Sequence, residues 1–205
     1  MLEKPAKTSV PVNDIIARRW SGRAFDEKKK VERKQLIAIL EAARWAPSCY
    51  GDQPWRYIVW VRSENEDLWR KAFDCLSPFN QAWVSRAPVL IASLAGSKFR
   101  HNGQANRWGQ HDTGAASENL CLEAVSQGLM AHQMGGFDPE KLRSAFKIPA
   151  EYTPMAMIAV GWPMEEKEIR DLPAERRDSE LQERERLPLK DLAFDGEWGR
   201  GVAAP

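Results

Sequence analysis

The stretch TGAASENLCLEAVSQGL, residues 113–129, decides the fold. No glycine interrupts it between Gly114 and Gly128, and Ala115, Ala116, Leu120, Leu122, Ala124, Val125 and Leu129 spread apolar side chains over more than one side of a helix. Such a helix has to be covered on more than one side, and we expect a sheet on one and a second subunit on the other. Upstream, APVLIASLA at 87–95 is an unbroken apolar run bounded by Pro88 and Gly96, the pattern of a central strand covered on both faces. Downstream, MAMIAV at 155–160 reads as another short buried strand. RYIVWV at 56–61, β-branched and aromatic after Pro54, reads as a third. A short helix is expected from its cap Asn13 through Ile15, Ile16 and Arg19. Another is expected over 31–45, where Leu36, Ile37, Leu40 and Ala43 keep helical spacing until Pro47 ends it. Two more are expected over 65–76 and over 138–146, the latter opened by the cap and N1 proline of Asp138-Pro139-Glu140.

The chain has 205 residues, 43% hydrophobic and 29% charged, enough to bury a core without disulfides or structural metals and too apolar for disorder as its main state. Its 30 basic residues against 29 acidic ones leave a net charge of +1, so there is little long-range field to gather a nucleic acid or a membrane surface. The expected partner is a small molecule. Neither 87–95 nor 155–160 approaches the roughly 20 apolar residues of a membrane-spanning helix. Residues 1–12 read as a flexible arm, with Lys4, Pro5 and Lys7 but no apolar segment of a secretory signal. Cys49, Cys75 and Cys121 form no paired spacing, and together these features point to the cytoplasm. His101, His111 and His132 share no metal-ligand spacing, so no metal site is expected. Of the tryptophans, Trp45, Trp55 and Trp60 are expected in the core, and Trp108 and Trp198 at a substrate or partner. From 165 to 186 the composition turns abruptly charged and reads as a surface arm or linker.

Three stretches carry chemistry. RRWSGR at 18–23 gathers three guanidiniums and a hydroxyl, a set suited either to a bound phosphate or to a solvated basic helix face. APSCYGDQPW at 46–55 is a loop whose small residues and Gln53 would let a flat, polar-edged ring lie close, or an ordinary turn anchored by Trp55. MGGFD at 134–138 sits before a helix, where two glycines bare backbone N–H groups toward a ligand or simply lead into the cap.

In this order and with these separations the three stretches resemble the nitroreductase family of FMN-dependent enzymes. The resemblance covers roughly residues 15–198. It is carried by Arg19-x-Ser21-x-Arg23-x-Phe25, by Ala46-Pro47-Ser48 with Gln53-Pro54-Trp55, and by Asn80 ahead of Ala87-Pro88-Val89-Leu90-Ile91. It continues through the helix at 112–128, Gly135-Gly136-Phe137, Val160-Gly161-Trp162-Pro163 and Arg184-x-Arg186-Leu187-Pro188.

The resemblance implies an α+β fold, a three-layer α/β/α arrangement with a mostly antiparallel central sheet. It implies an intertwined homodimer with C-terminal arm exchange and FMN at the subunit interface. Residues 13–163 would form the FMN-binding core, and 164–205 a charged linker and arm completing the phosphate site and the dimer. Carried over by position, Arg19, Ser21 and Arg23 would contact the phosphate and ribityl chain or the pyrimidine edge, and Arg186, helped by Arg184, would close the phosphate site. Pro47, Ser48 and Cys49 would lie along the ring from the partner subunit, and Gln53 and Asn80 would bond ribityl or ring oxygens. Gly135 and Gly136 would aim N–H groups at flavin N5 and O4, where fixed donors stabilise developing negative charge. No side chain is nominated as catalytic.

The sequence departs from the family pattern at Gly51, where many members have Asn, and at Trp83, where a Lys would set charge near the pyrimidine edge and whose absence would lower the flavin potential. The connection from 96 to 112 is short, leaving Phe99, Arg100, Arg107 and Trp108 as lid and substrate residues or as a surface loop. The leading function is reduction of a nitroaromatic, quinone or enone with NADH or NADPH as transient donor, by ping-pong hydride transfer. The alternative is a flavin-binding protein of flavin transformation, storage or sensing, with a non-flavin interaction protein third.

Overall fold

The computed structural model describes residues 2–203, so the first residue of the 1–12 arm and the last two of the 164–205 segment lie outside the described residues. Asn13 caps α1 (Asp14–Arg18) through its side chain, as its sequence position predicts. In α2 (Arg33–Arg44) the cap falls at Glu32, whose N–H is bonded by Gln35 three residues on, a reciprocal box that starts the helix two residues later than 31. Strand β1 (Trp55–Val61) is followed by α3 (Glu66–Phe73), capped by Asn65, and by α4 (Pro78–Val84), capped by Ser77 with Pro78 at the first position. Then come β2 (Val89–Gly96), α5 (Gly109–Ser126), β3 (Met130–Met134), α6 (Pro139–Phe146) and β4 (Tyr152–Gly161). Two short helices follow, α7 (Glu166–Arg170) and α8 (Ala174–Leu181).

The sheet runs β1-β2-β4-β3, with all three pairings antiparallel. Strand β2 is interior and buried from Val89 to Ala95, which is what its unbroken apolar run requires. Helices α2 and α5 cover one face through Leu36, Ile39, Ala43, Leu120 and Ala124 against Ile91, Ile158 and Val160. Trp69, Trp83 and Leu142 of α3, α4 and α6 cover the other against Trp60, Leu90 and Met157. These are the three layers, α/β/α, around an antiparallel sheet.

Four sequence expectations change. The decisive helix begins four residues earlier than 113 and ends at Ser126, so Leu129 leaves it and is buried in the lead-in to β3. It covers its own sheet on one side, while Ala115, Leu122 and Val125 are only half-buried. Trp45 is 75% exposed beyond the end of α2, where the Arg44 guanidinium stacks on its ring; the helix turns it away from the sheet. The charged 165–186 stretch folds into α7 and α8, and its apolar Ile169 and the carboxylate of Glu180 are buried. Finally, β3, with the sequence MAHQM, gave no strand signal because a His and a Gln sit in a five-residue edge. The early residues are bound to the body: the Ala6 N–H donates to the Ala17 carbonyl, and Lys4 Nζ to the Glu180 carbonyl.

Candidate functional site

Four of the marked residues meet in one cleft. Arg19, Ser21, Arg184 and Arg186 line a hollow of about 190 Å³ together with Lys4 and Trp20. Arg19 leaves the end of α1, its Nη1 donating to Ser21 Oγ at 3.4 Å and its Nε facing Glu118 of α5 at 3.3 Å. Arg184 reaches in from the segment after α8, where its Nη1 donates to the carbonyls of Lys4 at 2.6 Å and Ala17 at 2.8 Å. Those bonds lock the C-terminal segment to α1. Burial, then the neighbouring Arg19 and Arg186 cations, pulls the Arg184 pKa below the usual arginine range. Glu118 beside Arg19 and Glu183 on the cleft wall offset part of the repulsion among these cations, and a bound anion would offset more of it.

Arg23 faces elsewhere. Its N–H donates to Glu180 Oε1 and its Nη1 to Ser179 Oγ, both at 2.6 Å, and its guanidinium lies 5.5 Å from the Phe79 ring centre. It lines a second hollow of about 240 Å³ with Phe79, Trp83, Leu172 and Arg176. Ser179 lines both hollows, the polar cleft and the more apolar chamber. Three buried donors in the chamber wall, Arg23 Nε, Trp83 Nε1 and Arg176 Nη2, have no acceptor. These atoms have almost no exposed surface, and a buried donor left without an acceptor costs roughly 1–3 kcal/mol.

The loop carrying Ser21 and Arg23 is braced from beneath. His132 on β3 sets Nδ1 3.0 Å from the Gly22 carbonyl, which makes that nitrogen the donor, and its ring lies against Trp83 at 4.6 Å. Burial holds the His132 pKa down at about 4, with the Gly22 bond opposing and Arg23 and Arg19 assisting, so the ring is neutral at physiological pH. A Cβ on Gly22 would crowd Met130 Sδ and the Trp20 ring, so any larger residue there requires those side chains to shift. Glu180, 3% exposed, accepts from the Arg23 N–H, and its pKa is raised by burial against that bond.

Asn80 is buried in α4, and its Nδ2 donates to the Gly136 carbonyl at 2.9 Å, a bond the Ser77 N–H repeats at 2.9 Å. A Cβ on Gly136 would fall 2.6 Å from Asn80 Nδ2, so this close approach also demands glycine. Gly135 meets nothing within 4 Å and faces open space.

Pro47, Ser48 and Gln53 stand apart with the neighbouring Cys49, the first three lining their own open hollow with Trp45 and sharing no lining residue with the cleft or chamber. The loop is tightly wound: Tyr50 and Gln53 both take left-handed φ, at 55° and 51°. Asp112 at the start of α5 holds it by accepting the Cys49 N–H at 2.9 Å, and Ser48 Oγ accepts the Gln53 N–H at 3.0 Å. Asp52, beside the Gly51 departure, is buried and bonds the connection from 96 to 112, accepting the Arg100 N–H at 2.8 Å and Asn106 Nδ2 at 3.3 Å. That connection is a small hairpin with Lys98 bridged to Ala105. Phe99 meets Tyr50 edge-on at 5.8 Å, and the Arg107 guanidinium stacks on Trp108 at 4.5 Å. Burial pushes the Cys121 thiol up to about 12 and raises that of Cys75, leaving both as inert core residues. Among the described residues no three His, Cys, Asp or Glu side chains gather as a metal-ligand set, and no helix is long and apolar enough to cross a membrane.

Sequence reasoning gave no role to Asp112, Arg176 or Glu180 and read His132 as structural or solvated, in keeping with its bond to Gly22. The only signal for Asp112 was an acidic residue at the start of a helix, and Arg176 and Glu180 lay in the charged stretch read as a surface arm or linker.

Comparison with known proteins gives the same frame. A protein of Thermus thermophilus named NADH dehydrogenase is 28% identical over 193 residues, covering 78% of this chain and 92% of that protein. A protein of Methanothermobacter thermautotrophicus, named for a proposed NADH dehydrogenase/NAD(P)H nitroreductase activity, is 32% identical over 169 residues, 80% of this chain and 84% of its own. The crystal structure of an oxidoreductase containing FMN superposes with a TM-score of 0.85 at 29% identity, over 95% of this chain and 96% of that one. With the Nitroreductase family pattern matched across residues 16–162, the chain belongs to the nitroreductase family.

Proposed function

We propose that this protein is an FMN-dependent oxidoreductase that takes electrons from NADH or NADPH and passes them, in a second half-reaction at the same place, to a small nitroaromatic, quinone or enone. The observation that carries the reading is the neighbouring cleft and chamber, which share Ser179: three guanidiniums for a phosphate in one, Arg23 among apolar walls in the other. That layout fits FMN, an anionic head on a flat ring whose pyrimidine edge bears acceptors. Bound FMN would supply the hydride chemistry. Arg19, Arg184 and Arg186 would hold its phosphate, Ser21 the ribityl chain, and Arg23 the pyrimidine edge. Asn80 would keep the Gly136 peptide fixed, so that the N–H groups of Gly135 and Gly136 reach a ring nitrogen and oxygen without reorganising.

The same reading makes the protein a homodimer. Pro47, Ser48, Cys49 and Gln53 would cover the partner's ring, and Phe99, Arg107 and Trp108 would border the substrate space there. Residues 13–163 act as the cofactor-binding core and 164–205 as the arm that finishes site and dimer. In support, Leu189, Leu192 and Trp198 are exposed, Trp198 at 90%, and a second subunit would cover them. The free thiols of the three cysteines suit a reducing compartment such as the cytoplasm.

The test is direct. Purified protein should carry bound FMN, bleach anaerobically with NADH or NADPH, and recover its colour on adding a quinone or nitroaromatic. Absence of flavin absorbance, with no uptake of added FMN, would sink the reading. Ending the chain after Arg186 should weaken both the dimer and FMN retention, and an unchanged dimer dissociation constant would remove the arm from the proposal.

A further inference from the structure

Residues 2–7 lie outside the stretch matched to the family pattern, and sequence alone left them as part of a flexible arm. The fold lays them down as an extended strip in which Leu2, Lys4 and Ala6 are half-buried while Glu3, Pro5 and Lys7 are exposed, the alternation of a strand with one face against a surface. Leu2 packs into a small apolar cluster with Ala24, Met164 and Ile169. Lys4 Nζ donates to the Glu180 carbonyl at 2.8 Å and stands 4.3 Å from the Trp20 ring centre. Farther along, Lys7 pairs at 2.6 Å with Glu183, a carboxylate on the cleft wall. The strip meets the cleft at a shared node. Arg184 Nη1 sits between the Lys4 carbonyl at 2.6 Å and the Ala17 carbonyl at 2.8 Å, and that same Ala17 oxygen accepts the Ala6 N–H at 2.8 Å. One of the two acceptors that fix Arg184 therefore belongs to the strip, and the other is bonded by it.

We infer that residues 2–7 are a strap that positions Arg184 for the FMN phosphate, so that the arm governs how long the cofactor stays bound. The inference rests on the FMN reading above. A guanidinium fixed before the anion arrives loses less freedom on binding it, and the Lys4 carbonyl adds to Ala17 the second point that sets the direction of the fork. Both bonds are made by Nη1, which leaves the Nε and Nη2 edge to donate to a phosphate. Because that edge reads the phosphate, the strap acts on FMN and not on riboflavin, which carries the same ring without one.

The experiment measures the affinity of the apoprotein for FMN and for riboflavin by flavin fluorescence, in wild type, in a chain shortened to begin at Thr8, and in both forms carrying Arg184→Ala. Removing the strap should weaken FMN binding about tenfold, seen as faster release, which is the loss expected for one charge-assisted bond. Riboflavin affinity should stay within about twofold, and in the Arg184→Ala background removing the strap should cost FMN less than about twofold more, since its target is gone. Equal losses of FMN and riboflavin overturn the inference, because a brace for the whole fold moves both. So does a full tenfold loss in the Arg184→Ala background, which puts the effect on the charges of Lys4 and Lys7 instead of on Arg184. Should the shortened chain not fold, Ala6→Pro decides, since it removes the N–H that clips the strap to Ala17 and leaves every residue lining the cleft in place. It should weaken FMN about threefold with riboflavin unchanged, and unaltered FMN binding overturns the inference. Wild-type protein that takes up neither flavin overturns the function along with it, an outcome distinct from the others.

Discussion

The cleft around Arg19 is closed by its own chain, whereas the loop at 46–55 turns its ligand-type residues outward. In the cleft, Arg184 is tied to two carbonyls and Arg19 faces Glu118, so the cations are held in place before any anion arrives. The loop is equally rigid, with its backbone held by Asp112, Ser48 and Asp52, but Pro47 and Gln53 are exposed with nothing opposite them. Rigidity without a binding partner in the same chain is what a surface needs if it completes a site in another subunit. Affinity for the cofactor should therefore be set mainly by the cleft, and the fit of the ring mainly by the loop.

The largest effect should come from the cleft. Arg184→Ala removes two charge-assisted bonds and one phosphate cation together, a loss of about 3 kcal/mol or roughly a hundredfold in FMN affinity. Protein purified by gel filtration should emerge nearly flavin-free; wild-type occupancy would show that the closed cleft does not govern retention. Next is acid. His132 is held at about 4 in the folded state against 6.5 when unfolded, so the unfolded chain takes up a proton first as pH falls. Stability is therefore full above about pH 6.5 and drains away as pH drops toward 4, by up to about 3 kcal/mol. His132→Asn, whose amide still donates to Gly22, should flatten that slope in thermal melts between pH 7 and pH 4.5. An unchanged slope would move the acid sensitivity to other groups.

The layers of the fold were legible because they are written in apolar spacing: 87–95 had to be interior, and Leu36 to Ala43 had to face a sheet. The cleft residues were legible as an ordered set of motifs. What stayed hidden was polar burial, which has no periodic signature. Glu180 and Arg176 look like any charged helix, yet α8 is short and pressed against the chamber, so its polar groups are enclosed. His132 looked inert because only the fold brings Gly22, 110 residues earlier, over its ring. Arg23 was grouped with Arg19 by proximity in sequence, but its N–H and guanidinium are held by Glu180 and Ser179 of α8, and it opens on the chamber instead of the cleft.

The loop side of the comparison predicts a smaller effect. Asp112→Ala leaves the Cys49 N–H without its carboxylate, at a cost of about 1–2 kcal/mol. Because the loop would serve the ring rather than the phosphate, FMN affinity should fall only severalfold while the flavin absorbance band shifts and broadens. A hundredfold loss of FMN, equal to that of Arg184→Ala, would mean that loop and cleft act as one unit and that the division between them is wrong.

The smallest effect separates two adjacent arginines. Arg18 and Arg19 carry the same charge one residue apart, but Arg18 points to solvent and pairs with Asp14 one helical turn back at 2.7 Å, while Arg19 is turned into the cleft. An exposed pair of that kind contributes about 0.3–0.5 kcal/mol. Arg18→Ala should therefore leave FMN affinity within about twofold of wild type and lower stability by less than about 0.5 kcal/mol. Arg19→Ala removes a cation that faces the phosphate directly and should cost about 2 kcal/mol, some thirtyfold in affinity. Titrating both apoproteins with FMN at two salt concentrations decides between contact and field. If the two variants lose affinity equally, and equally lose their salt dependence, the basic stretch acts as a diffuse field and the cleft geometry does not select between neighbours. If only Arg19→Ala falls, the closure of the cleft by its own chain is what makes one guanidinium a ligand and leaves the other on the surface.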